Sequence, residues 1–231
     1  MTLQPSCRLH IKIIDVGEGD ASLIVLPESK RALVVDAYDG ERVCEALLEA
    51  GIEEVVLFLS HSDRDHIAGV QYLLDNYQGS YVAFFYNKDR LTAGKDSLYR
   101  RTINTMAFRS KAQGARSASL DTNCNDLTWF SSLVSLPITL EVLHPAYSES
   151  GCLYGNCTND VSGVLHVSYL YDDGSKQSVL FTGDVQLTGI SCMMTRLGTT
   201  DGVLRADVLK YPHHGAWPTT YEALSTLPNV G

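Results

Sequence analysis

Leu57-Phe58-Leu59-Ser60-His61-Ser62-Asp63-Arg64-Asp65-His66 is the stretch on which the reading of this chain turns. Its first half ends a continuous apolar run over residues 54–60, the pattern of a strand buried on both faces. Its second half places four metal-capable side chains, His61, Asp63, Asp65 and His66, within six residues. They stand at a strand-to-helix junction, where layered α/β sheets present their ligands. A polar loop with one helix cap is the plain alternative, and Asp65 or His66 would serve as that cap. Capping needs one such residue, however, and four are present.

The elements on either side support the strand assignment. Upstream, Leu9–Val16, Ala21–Leu26 and Arg31–Val35 read as short β-branched strands, punctuated by Gly17-Glu18-Gly19-Asp20, Pro27 and Asp36. Glu41–Ala50 carries Val43, Ala46, Leu47 and Ala50 at helical spacing, and Gly51 closes it. Downstream, the spacing predicts a helix over His66–Asn76 and a strand over Tyr81–Tyr86. The strand rhythm resumes at Ile138–Leu143. Val164–Tyr171 and Ser178–Thr182 read as an antiparallel pair joined at Asp172-Asp173-Gly174. A helix near Gln186–Leu197, a strand over Ala206–Tyr211 and a helix near Thr219–Leu227 complete the pattern. Alternating strands and helices predict an α/β (α+β) layered fold, organised as one domain over residues 1–231.

Composition narrows the class of protein. The 231 residues are 45% hydrophobic and 19% charged, enough to bury a core. No apolar run approaches the roughly 18 residues of a membrane span, and Met1–Cys7 lacks the pattern of a secretory leader. The six cysteines include no C-x-x-C pair, so they read as reduced thiols of a cytoplasmic protein without a membrane partner. The formal charge is −9, which discourages a general nucleic-acid coat. That charge is uneven: residues 88–116 hold eight basic and two acidic side chains, a local +6. This basic insert, about 88–125, is the one segment suited to attract phosphates, through Lys95, Arg100, Arg101, Arg109 and Lys111. A solvated helix or loop with incidental charge is the equal alternative. A Gly/Ser/Cys loop spans 146–159.

Two further strand ends carry the same chemistry. Phe181-Thr182-Gly183-Asp184 ends in a carboxylate, and Leu209-Lys210-Tyr211-Pro212-His213-His214-Gly215 ends in paired imidazoles. Either alone is weak evidence. Three ordered strand ends presenting His or Asp suit zinc or manganese, which accept mixed nitrogen and oxygen ligands.

These segments resemble the metallo-β-lactamase fold hydrolases, and among them the metallo-β-lactamase domain of ComEC-type DNA-uptake (competence) proteins. Asp15-Val16-Gly17-Glu18-Gly19-Asp20-Ala21 is similar to that subfamily's opening D-V-G-x-G-D-A. Val34-Val35-Asp36 resembles its L-I-D strand end. His61 to Gly69 resembles H-x-D-x-D-H-x-G-G, with Ala68-Gly69 in place of the glycine pair. Asn159-Asp160-Val161-Ser162, the Thr182-Gly183-Asp184 strand end and the His213-His214-Gly215 segment resemble its later motifs. The resemblance implies an αββα sandwich with a metal site holding one or two ions. It implies His61, Asp63, Asp65, His66, Asp184, His213 and His214 as ligands, without deciding between the last two. It implies Asp65, His66 and Asp184 as the catalytic set, and Asp36, Asp15, Asp20 and Asn159 as supports around it; Asp15 and Asp20 could equally do no more than shape a turn.

Two departures bear on this. Asp63 stands where the general pattern has a second histidine, which hardens the site and favours manganese or a single ion. The subfamily also continues past His-His-Gly, so the chain is expected to lack the last strand and helix, leaving an edge for a protein partner. The expected function is a metal-dependent hydrolase, specifically a phosphodiesterase or nuclease acting on DNA through metal-activated water. The alternatives are a hydrolase of another small ester or phosphodiester, or a non-catalytic binding or regulatory subunit of a complex.

Overall fold

A computed structural model of the chain describes residues 9–27, 29–90, 93–122, 138–147, 157–198 and 204–216. The chain divides at Ser119/Leu120 into two compact units. The expected 219–227 helix lies outside the described residues, as do Cys7, Cys124, Cys152 and most of the 146–159 loop. The fold class is α/β, as the strand and helix alternation predicts.

The first unit is built on a six-stranded sheet in sequence order, β1 (His10–Ile13), β2 (Ala21–Val25), β3 (Arg31–Ala37), β4 (Glu54–Phe58), β5 (Ser80–Tyr86) and β6 (Arg116–Ser119). β1, β2 and β3 pair antiparallel, while β3 to β6 run parallel. Strand β4 is the buried apolar run: Val55, Val56, Leu57 and Phe58 are all inaccessible. Parallel strands need crossover helices to cover them. Those helices are α1 (Gly40–Glu49), α2 (Arg64–Ile67), α3 (Val70–Asn76) and α4 (Leu98–Gln113). Asp39 caps α1 by accepting from the amides of Glu41 and Arg42, and Val43, Ala46 and Leu47 face the core. Ser97 caps α4 through the Arg100 amide, and Gly114, at φ 69°, ends it in the left-handed conformation.

The helix expected over His66–Asn76 is two helices, broken at Ala68-Gly69. The reason is a close backbone approach. A Cβ on Gly69 would lie 2.1 Å from the Gly40 nitrogen, and one on Gly40 would lie 2.1 Å from the Gly69 carbonyl oxygen. The Gly69 amide also donates to the Ala37 carbonyl at 2.9 Å. Two glycines therefore lock the start of α1 onto the α2–α3 junction, which fixes where α2 presents its side chains.

The second unit carries a four-stranded sheet in the order β10-β9-β8-β7: β7 (Ile138–His144), β8 (Val164–Leu170), β9 (Lys176–Phe181) and β10 (Val208–Lys210). β7, β8 and β9 pair antiparallel, and β9 and β10 run parallel. Helix α5 (Leu187–Leu197) buries Ile190 and Met193 with Leu143, Val164, Leu180 and Val185. Gly189 lets α5 approach the 3-10 turn Asn159–Val161, since a Cβ there would meet the Asp160 carbonyl oxygen at 2.4 Å. Cys44 and Cys157 are free thiols. Cys192 is disulfide-bonded, which corrects the expectation of six reduced cysteines; sequence spacing does not show which cysteines a fold brings together. No helix among the described residues is long and apolar enough to cross a membrane.

Candidate metal centre

Strand β4 delivers Ser60 and His61 to its carboxyl end, and the one-turn helix α2 returns His66 beside them. The His61 and His66 rings lie 4.0 Å apart at their centroids, and both residues are buried. The anchor of the pair is Asp36, at the end of the adjacent parallel strand β3. One Asp36 oxygen accepts from the Ser60 amide at 2.7 Å. The other accepts from the Ser60 hydroxyl at 2.7 Å and from His66 Nδ1 at 2.8 Å. The hydroxyl proton of Ser60 is thereby committed, so Ser60 Oγ accepts from His61 Nδ1 at 3.1 Å. The network assigns the Nδ1–H tautomer to both imidazoles and makes Nε2 the lone-pair nitrogen of each. Burial by itself would raise the Asp36 carboxyl, but its interactions with His66 and Ser60 outweigh that and hold it below the usual carboxylate range.

The remaining first-unit residues take distinct places. Asp20 is buried, with a carboxylate oxygen 3.8 Å from His66 Nδ1. Asp20, Asp36 and His66 offer ligand atoms within 4.8 Å of one another. The Asp20 amide donates to the Asp65 carbonyl at 2.9 Å, tying the glycine turn to α2. Asp15 is exposed and accepts from the Gly17 amide at 3.3 Å. Of the two ways to read this pair, turn shaping describes Asp15, whereas Asp20 reaches His66. Asp63 Oδ2 lies 3.7 Å from His61 Nε2. In the assigned tautomer both atoms carry a lone pair and are of the type that could hold a cation. Asp65 is half-buried on α2.

In the second unit, β9 runs through Thr182-Gly183 into the buried Asp184, whose amide donates to Ser162 Oγ at 3.0 Å. β10 ends at Lys210, whose carbonyl accepts from the Thr182 hydroxyl at 2.7 Å. The His213 amide then donates to the Gly183 carbonyl at 3.1 Å. These links fix the two histidines differently. His214 Nε2 lies 3.4 Å from Asp184 Oδ2. The His213 ring is held on both sides, by Asn159 at 3.5 Å and by Gln186 at 3.2 Å. Asn159 thus supports His213, and His214 is the imidazole set beside the carboxylate.

Backbone conformation singles out the same residues. Among the described residues, the non-glycine residues with positive φ are Asp36 at 58°, His213 at 51° and His214 at 51°. This region disfavours side chains with a Cβ, at about 1–3 kcal/mol each, and such strain persists where surrounding structure enforces it.

The basic residues are less uniform than their composition. Arg109 pairs with Asp75 at 3.4 Å, and Arg100 donates to the Ala93 carbonyl at 3.3 Å. Lys95, Arg101 and Lys111 are exposed, and α4 has no acidic residue. Sequence reading missed Ser60, Gln186 and the segment Asn87–Arg90 as site residues, and quoted Ser162 within a motif without a role. Ser60 was legible as the residue flanking His61; Arg90 was hidden within the basic count, 27 positions from the aspartate it contacts.

Comparisons with known proteins give similarity at the level of solved structures. No family model and no curated protein matches the chain. It is similar to the metallo-beta-lactamase fold protein YhfI from Bacillus subtilis, at 14% identity and TM-score 0.41, covering 75% of this chain and 61% of that one. This chain therefore spans less than two thirds of that protein's length. It is similar to BLEG-1 B3 metallo-beta-lactamase, at 18% identity and TM-score 0.38, covering 76% of this chain and 72% of that one. It is also similar to the metallo-beta-lactamase MIM-1 from Novosphingobium pentaromativorans, at 13% identity and TM-score 0.42, covering 92% and 77% respectively.

Proposed function

We propose that this protein is a divalent-metal-dependent hydrolase of phosphodiesters, with DNA as its substrate. The observation that carries the reading is the concentration of backbone strain at Asp36, His213 and His214, residues that the sequence motifs single out independently. The candidate ligands in this reading are, within the first unit, His61, Asp63, Asp65 and His66 and, within the second, Asp184 and His214, each unit taken by itself. The donor chemistry fits zinc or manganese: imidazole nitrogens, those of His61 and His66 set in one tautomer, and carboxylate oxygens. When bound, such an ion supplies a water of lowered pKa and stabilises charge developing on a phosphate.

The chain's own residues do the rest. Asp36 and Ser60 hold the His61 and His66 rings so that Nε2 faces the ligand. Asp65 orients the attacking water and accepts its proton. Asn159 and Gln186 fix His213, which sets the backbone that presents His214. Exposed Arg101, Lys111 and Lys95 draw the polyanion to the first unit. Cytoplasmic location belongs to the same reading.

The test is digestion of linear and circular DNA by the mass-verified protein with Mn²⁺ or Zn²⁺ and with chelator. Metal-dependent cleavage is expected, lost in Asp65→Ala and in Asp184→Ala without loss of fold. Undiminished cleavage in both variants overturns the reading. Hydrolysis of a small chromogenic phosphodiester with no cleavage of DNA keeps the metal chemistry and replaces the substrate.

A further inference from the structure

The segment leaving β5, Asn87-Lys88-Asp89-Arg90, contacts Ser60 and the His61–His66 loop that follows it at three points. Asn87 Nδ2 donates to the Ser60 carbonyl at 2.6 Å. Asp89 Oδ2 accepts from the Ser62 amide at 2.8 Å. Arg90 Nη2 donates to Asp63 Oδ1 at 2.7 Å. The segment is itself held from behind, because Tyr99 of α4 donates to the Asn87 carbonyl at 2.7 Å. Asn87 and Tyr99 are buried. Residues 88 and 90 belong by sequence to the basic insert, yet Arg90 is engaged with the ligand loop.

We propose that Arg90 is a positioning residue that presents Asp63 as a one-oxygen metal ligand. The inference rests on the metal-centre reading given above. Arg90 occupies Oδ1 and leaves Oδ2 directed at His61 Nε2, 3.7 Å away. A carboxylate on an unbraced loop can rotate about χ2 and chelate through both oxygens; a charge-assisted hydrogen bond at one oxygen removes that freedom. The guanidinium remains charged at all working pH, so it also offsets the negative charge of the Asp63 carboxylate. The arrangement therefore assigns to Arg90 the orienting task that a hydrogen-bonded carboxylate performs for a histidine ligand.

The test is Mn²⁺ titration of the intact chain, following loss of the free-ion EPR signal, for wild type, Arg90→Gln, Arg90→Lys and Asp63→Ala. Arg90→Gln is expected to weaken Mn²⁺ binding about tenfold, at the lower end of what loss of an outer-sphere partner costs, and Arg90→Lys to restore part of it. Melting temperature in EDTA is expected to stay within about 2–3 °C of wild type for both, since exposed pairs contribute little to folding. Wild-type-like or tighter binding by Arg90→Gln, with binding weakened in Asp63→Ala, overturns the role of Arg90 and leaves the metal centre standing. Absence of Mn²⁺ and Zn²⁺ binding by wild type overturns both. A large drop in melting temperature in EDTA for Arg90→Gln and Arg90→Lys alike makes Arg90 a fold contact and overturns the proposal as well.

Discussion

His66 in the first unit and His214 in the second are both motif histidines following a strand, yet they are held in opposite ways. His66 is buried, and its Nδ1 donates to Asp36, a carboxylate that also binds the amide and the hydroxyl of Ser60. His214 is partly exposed and is oriented through backbone: a left-handed φ at itself and at His213, with the His213 ring pinned by Asn159 and Gln186. The first arrangement fixes a side chain by desolvated hydrogen bonds, which are stiff and costly to break. The second fixes it by main-chain geometry in the turn beyond a short strand, which leaves the ring itself replaceable. The contrast teaches that fold stability and site geometry are coupled in the first unit and largely separable in the second.

The largest effect that sharpens this contrast is expected at Asp36. Asp36→Ala removes one partner of a buried, charged network, and about 3–5 kcal/mol of stability should go with it, measured by urea denaturation. Asp36→Asn retains a residue that tolerates positive φ and should recover part of the loss. A cost for Asp36→Ala no larger than that for His214→Ala would break the comparison.

The next effect is the response to acid. Burial pushes His144, whose Nε2 donates to the Asp160 carbonyl at 2.8 Å, down to about 4. Between about pH 6.5, where an unfolded histidine titrates, and about 4, the unfolded chain binds a proton that the native chain refuses. Stability therefore falls as pH drops through that window, by about 3 kcal/mol in total. His144→Asn should flatten that slope in pH-dependent denaturation. Asp36 acts at lower pH and with the usual carboxylate sign. Its contribution is present above about pH 4, its unfolded value, and is lost as pH falls through the depressed folded value. An acid slope unchanged by His144→Asn would place the sensitivity elsewhere.

A smaller effect is expected at Gly69. An alanine Cβ would sit 2.1 Å from the Gly40 nitrogen, so the α1 and α2 backbones must part, at about 1–3 kcal/mol. Because that contact positions α2, metal affinity should fall with stability. The smallest stability change belongs to the second-unit histidines. His214→Ala should weaken Mn²⁺ or Zn²⁺ binding by tenfold or more in a direct titration, with His213→Ala weakening it less and neither shifting the melting temperature of the metal-free protein appreciably. The reverse order would make His213 the ligand.

Most of the element order was legible because its signals are local. The β4 run, the α1 periodicity closed by Gly51 and the β8–β9 hairpin each announce themselves within ten residues or so. Element ends were less legible. Leu9–Val16 pairs only over His10–Ile13, because partner length, set by β2, limits a strand. The break at Ala68-Gly69 was not legible either, since Gly69 is demanded by Gly40, 29 positions away. Candidate site residues were nameable as a set because the motifs cluster at strand ends. Their roles were not, because Asp15 and Asp20, or His213 and His214, are chemically identical in sequence and differ only in what folding places beside them.

What the sequence by itself determined is the class of fold and the class of donor. Apolar periodicity dictates which segments become strands and helices, and residue type dictates that imidazole and carboxylate are offered at the strand ends. What only the tertiary structure decided is how those donors are held: the tautomers set by the Asp36–Ser60 network, the backbone strain at Asp36, His213 and His214, and the attachment of Arg90 to Asp63 across 27 positions. The acidic chain with its basic insert shows the same division. Charge is counted along the sequence, but whether an arginine meets solvent, Asp75 or the His61–His66 loop depends on hydrogen-bond geometry between segments far apart in the chain, which no local pattern encodes.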